Sequence, residues 1–148
     1  MLRYVLGGLL LTAGCSAGAV QVPTPSPSPD AAAVRLCGTL KLPDRLNGLD
    51  RRETDPGSPL VAAWGTPAIS LRCGVARPAD PATGNIAQVD TINGTDWYAL
   101  PGDPPVTWTL VGRQVYVEVT IPRKYPADTI SSVTDLVKDL PKLPEGTY

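Results

Sequence analysis

VTWTLVGRQVYVEVTIP, residues 106–122, decides the architecture. Val106, Trp108 and Leu110 alternate with Thr107 and Thr109, and beyond Gly112 the alternation resumes through Val115, Val117, Val119 and Ile121. A period of two over this length marks strands with one buried face, because successive side chains leave a strand on opposite sides. Reading Gly112-Arg113 as a two-residue turn makes a hairpin. One of its faces is apolar, and the other carries Thr107, Thr109, Gln114, Tyr116, Glu118 and Thr120.

Working outward, Gln88–Ile92 and Thr95–Leu100 flank Asn93-Gly94, the strongest short hairpin signal. Its faces are mixed: Val89, Tyr98 and Leu100 fall on one, Ile92 and Trp97 on the other, and the pattern does not choose between them. Pro67 to Val75 reads as a further strand, carrying Cys73. The stretch DRLNGLDRRETDPGSP, residues 44–59, is dense in turn formers and charge and reads as a mobile loop.

Two helices bracket the strands. Asp30 is placed to cap a helix whose inner face is Ala33, Leu36, Cys37 and Leu40 before Pro43, and Ile130, Val133, Leu136, Val137 and Leu140 form a stripe that stops at Pro141. The expectation is an α+β fold: about five short antiparallel strands, with an N-terminal and a C-terminal helix packed on one face.

The chain opens with MLRYVLGGLLLTAGC, residues 1–15: Arg3, an apolar run from Tyr4 to Leu11, then small residues and a cysteine. This is the order of a secretory signal, and the apolar run is shorter than a helix needs to cross about 30 Å of hydrocarbon. Leu11-Thr12-Ala13-Gly14-Cys15 resembles the bacterial lipobox, with Thr12 where leucine is commonest, and the resemblance implies acylation of Cys15. An ordinary cleavage after Ala17 or Ala19 is the alternative. Residues 16–30 follow as a tract rich in Pro, Ser and Thr, in which Pro23, Pro25, Pro27 and Pro29 favour an extended spacer with no packed structure. A single domain is then expected over residues 31–148, of ordinary size for one core.

Composition narrows the chemistry. Losing Arg3 with the export segment leaves 12 basic against 14 acidic residues, and this balance gives a nucleic acid no electrostatic reason to bind. The chain has no histidine, which removes histidine-based nucleophile systems and the commonest zinc and copper ligand. No phosphate-binding glycine loop and no calcium-loop spacing is present, so no cofactor, no metal and no catalytic motif is expected. Three cysteines leave one over; if Cys15 carries lipid, Cys37 and Cys73 remain as one pair. A disulfide between them would contribute about 4 kcal/mol by constraining the unfolded chain. The alternative is two free buried thiols.

Two groups of residues are candidates for function. Tyr116 and Glu118, on the polar face, and Trp97 could form a ligand or partner platform. Asp90, Asp96 and Glu118 are the carboxylates that an enzyme acting on cell-wall material would have to bring together.

Taken in order, the lipobox, the proline tract, Cys37, Trp64-Gly65, Leu71-Arg72-Cys73-Gly74-Val75, Asp96-Trp97 and Val117-Glu118-Val119-Thr120-Ile121-Pro122 resemble an actinobacterial lipoprotein family, domain of unknown function 3515. The similarity runs from Leu36 to Leu143. It implies an exported protein on the outer face of the cytoplasmic membrane, held by a lipid anchor, with its two remaining cysteines paired; it implies no activity. The functional expectation is a non-catalytic binding module that contacts an envelope protein or a small envelope ligand.

Overall fold

The computed structural model describes residues 18–79, 83–86 and 88–148. The signal-like segment 1–15, with Cys15, lies outside the described residues.

Strand β1 is Val20–Gln21 and helix α1 is Ala31–Cys37. Then come β2 Arg45–Leu46, β3 Leu49–Arg52, β4 Thr54–Asp55, β5 Val61–Trp64 and β6 Ile69–Cys73. The chain continues through β7 Asp90–Ile92, β8 Thr95–Ala99, β9 Val106–Leu110 and β10 Val117–Ile121, and closes with α2 Thr129–Val137. The fold is mixed, with two helices and one disulfide, but its main sheet has eight antiparallel strands in the order β2-β3-β5-β6-β10-β9-β8-β7 rather than about five.

The additional strands come from two places. Within 44–59, read as a mobile loop, Asn47 (φ 50°) and Gly48 (φ 76°) turn β2 back onto β3. The charge of Arg45, Asp50 and Arg51 that suggested a loop is what an edge strand carries towards solvent. Strand β5 was missed for the opposite reason: Val61, Ala62, Ala63 and Trp64 are all buried, so no alternation marks them.

The central hairpin also differs in register. Leu110 pairs with Val117 and Trp108 with Val119, so residues 111–116 form a six-residue connection and Gly112-Arg113 is not a two-residue turn. Arg113 instead bridges to Lys142, and the Gln114 N–H donates to the Pro141 carbonyl at 2.9 Å. The shift is by two residues, which leaves every side chain on its expected face. The Asn93-Gly94 turn stands as expected, with Ile92 opposite Thr95.

One face of the sheet holds the core. Trp64, Ile69, Leu71, Cys73, Trp97, Leu110, Val117, Val119 and Ile121 meet Cys37 of α1 and Ile130, Val133 and Val137 of α2. Asp30 caps α1 through the Ala33 N–H at 2.8 Å. The Cys37–Cys73 disulfide, with Cα atoms 5.7 Å apart, staples this seven-residue helix to β6.

The reverse face is where the proline-rich tract lies. Expected to hold no packed structure, it is packed over its described residues 18–29. β1 runs parallel to β4, the Val20 N–H donates to the Glu53 carbonyl at 2.8 Å, and Val22 is buried against Val61 and Ala63. Pro25 is buried, Arg72 Nη1 reaches the Pro23 carbonyl at 3.4 Å, and a Cβ at Gly74 would stand 2.8 Å from that of Pro29. The reason is legible in VQVP, residues 20–23: two valines at strand spacing find an apolar strip of the sheet, and the prolines keep the arm extended.

Candidate functional site

At one end of the sheet the Asn93-Gly94 turn, the 111–116 connection and the segment after α2 come together. The Leu143 N–H donates to the Gly112 carbonyl at 3.0 Å and Gln114 Nε2 to the Lys142 carbonyl at 3.3 Å, so the segment is pinned beside the connection. Between them opens a cleft of about 450 Å³, lined by Gly94, Asp96, Gly112, Arg113, Lys142 and Tyr148 among others.

Arg113 is the notable group in its wall. The side chain is 94 % buried (6 % exposed), with Nη1 donating to the Leu140 carbonyl at 2.8 Å and Nη2 to Thr95 Oγ1 at 3.4 Å. Both acceptors are neutral, and none of the ion pairs among the described residues includes Arg113. A buried guanidinium held only by neutral oxygens keeps an uncompensated charge, which favours an anion arriving from the open side. Across the cleft, Asp96 accepts from Thr91 Oγ1 at 2.7 Å and from the Tyr148 hydroxyl at 3.4 Å. Basic Arg113 and Lys142 and acidic Asp96 and Glu145 therefore line one space. Such an arrangement can orient a ligand that carries an anionic group near a donor.

The platform expected from Tyr116, Glu118 and Trp97 is not assembled. Trp97 is fully buried on the helix-covered face, with Nε1 donating to Thr134 Oγ1 at 2.9 Å. Glu118 lies on the opposite face and pairs with Arg72 Nε at 2.9 Å, both side chains about a quarter exposed. Tyr116 is half-buried just before β10, and its carbonyl accepts from the Gly74 N–H at 2.9 Å. Trp97 was misplaced because its neighbour Tyr98 is buried on the other face, which erases the alternation that would have assigned either.

The three carboxylates are also separated by register. Asp90 pairs with Trp97 and shares its face, whereas Asp96 pairs with Thr91 on the reverse side. Glu118 shares the face of Asp96 but stands two strands away and two residues along, roughly 12 Å by ladder spacing. Of the three, Asp96 alone lines the cleft.

The cleft has almost no signature in the sequence. Its one trace is Arg113, a basic residue between Val111 and Val115 in LVGRQV, residues 110–115, which reads as a turn residue.

Two other hollows are smaller. An apolar recess of about 180 Å³ involves Val106, Trp108, Ile121, Pro122 and Tyr125, and a space of about 390 Å³ separates the ends of the helices near Leu40, Leu136 and Asp139. Among the described residues no group of three or more Cys, Asp or Glu side chains is placed to hold a metal ion, and no helix is long and apolar enough to cross a membrane.

No curated protein and no solved structure matches the chain. The strings Trp64-Gly65, Leu71 to Val75 and Val117 to Pro122 lie on or beside β5, β6 and β10, the middle of the sheet, and they carry the disulfide and the core. A family model matches residues 4–145, and the chain belongs to the family described as protein of unknown function, DUF3515.

Proposed function

We propose that the chain is an exported lipoprotein, acylated at Cys15 and held on the outer face of the cytoplasmic membrane, and that its folded domain is a non-catalytic binding module. The lipobox-like order Leu11 to Cys15 supports the anchor. Two or three acyl chains, at about 0.8 kcal/mol for each buried methylene, make such an anchor durable. The disulfide supports an oxidising compartment.

The observation that carries the binding reading is the buried Arg113 guanidinium, unpaired with any carboxylate among the described residues, in the wall of the 450 Å³ cleft. The ligand it fits is a small envelope molecule or a peptide end bearing a carboxylate or phosphate.

Two measurements test the two halves separately. Fatty-acid labelling in cells should mark the wild-type chain and not Cys15→Ala, which should move to the soluble fraction; an unlabelled wild type would remove the anchor. Titration with inorganic phosphate and with a short peptide, followed by amide chemical shifts, should move Gly94, Gly112, Arg113 and Lys142. Lys142→Ala, at an exposed side chain, should weaken the response severalfold without unfolding. No shift with either probe would sink the cleft as a binding site.

A further inference from the structure

The docked arm fixes where the domain stands relative to its anchor. The Gly18 carbonyl accepts from Arg52 Nη2 at 2.6 Å, and Nη1 of the same guanidinium donates to the Gly65 carbonyl at 2.9 Å and to Thr66 Oγ1. Lys124 Nζ donates to the Thr66 carbonyl at 3.2 Å. The arm thus leaves the fold at the corner made by β3, the 65–68 turn and the segment after β10. From there it crosses the reverse face towards Gly74, near the cleft end.

Three peptide steps separate Gly18 from Cys15, a reach of about 11 Å at most. A spacer as long as the whole proline tract would have held the domain a few tens of Å away. With the tract bound to the sheet, that length is not available as a tether. An anchor at Cys15 therefore brings this corner to the lipid surface.

The corner's charge suits that position. Arg51, stacked 5.1 Å over the Trp64 ring, and Arg52, bonded to Gly65 and Gly18, leave β3 on opposite faces at this corner, and Lys124 reaches it from the segment after β10 with Arg123 next to it in the chain. Of the nearby acids, Asp50 is engaged by Arg45 at 2.9 Å, which leaves Glu53 and Asp44, whose carbonyl accepts from the Arg51 N–H, against four cations. Arg51, Arg123 and Lys124 form no ion pair among the described residues. The tether is comparable to the Debye length of about 8 Å at physiological salt, so these cations would sit within the field of anionic headgroups.

We infer that the domain is seated on the membrane with the Arg51–Arg52–Lys124 corner against anionic phospholipid headgroups and with the Arg113 cleft at the far end, facing away. This rests on the lipid-anchor reading above for its setting, and its geometry is testable without native acylation.

The full chain is coupled through the Cys15 thiol, the one cysteine outside the disulfide, to maleimide-bearing phospholipid in vesicles containing phosphatidylglycerol. Acetylation of the four lysines, Lys41, Lys124, Lys138 and Lys142, is then followed by mass spectrometry. All four are exposed in the fold, and Lys142 lies at the cleft end of strands that span about 17 Å. The expected result is acetylation of Lys124 slowed about fivefold while Lys142 is little changed, with the protection reduced in Arg123→Glu and on vesicles of phosphatidylcholine alone. Lys124 reacting as fast as Lys142, or equal protection on neutral vesicles, would overturn the inference. Failure of the native anchor is read independently, as a missing diacylglyceryl mass on the chain extracted from membranes.

Discussion

Gly65 is the residue on which the corner between β5 and β6 depends. Its φ of +78° is costly for any residue with a Cβ, and a Cβ there would stand 2.7 Å from the Tyr125 hydroxyl and 3.0 Å from Leu49 Cδ1. Tyr125 cannot easily retreat, because its hydroxyl donates to the Pro67 carbonyl at 2.6 Å. Gly65→Ala is therefore expected to destabilise the protein by about 2–3 kcal/mol, from backbone strain and overpacking together. Denaturant unfolding checks this, and an unchanged midpoint would show that the corner yields. At this scale the sequence was readable wherever a residue type has one dominant use: the Asp30 cap, the Asn93-Gly94 turn and the Cys37–Cys73 pair all stand where expected. Trp97 shows the limit. A large aromatic fits a core and a ligand platform equally well, and only the layer of α2, through Thr134, decides which it is.

At the scale of elements, α1 is too short to hold itself together: seven residues are below the length at which a helix is stable alone. What keeps it on the sheet is its apolar face and the bond from Cys37 to Cys73. Replacing both cysteines with serine should cost about 4 kcal/mol through the freed unfolded chain, read as a lowered denaturant midpoint; a loss below about 1 kcal/mol would mean that packing alone seats the helix. Strand faces were more legible than strand pairings. Period-two alternation survives a two-residue slip, so the faces of β9 and β10 were right although the turn between them was not. The edge hairpin at Asn47-Gly48 carried the same dipeptide that identified its counterpart at 93–94, but its flanking charges hid the strands. The cleft had still less of a signature, because its walls come from three segments that only the folded sheet brings to one end.

For the whole molecule, the arm changes what counts as the domain. Were it a free spacer, the backbone N–H groups of Val20 and Val22 would exchange with solvent at the rate of an unstructured chain. In the fold they donate to the carbonyls of Glu53 and Asp55, at 2.8 and 3.2 Å, beneath the side chain of Val22. The arm is tied to β4 by pairing, to β5 by packing and to β6 through Arg72, and it leads directly into the helix that the disulfide holds on the other face. Opening it would expose Val61 and Ala63 along with Val22, a loss of about 2–4 kcal/mol when burial and hydrogen bonds are taken together. Native-state hydrogen exchange should accordingly find Val20 and Val22 protected by roughly 30-fold or more relative to an unstructured chain. If both exchange at the unprotected rate, the arm is a tether after all, the domain can stand away from its anchor, and the membrane-facing corner loses its basis.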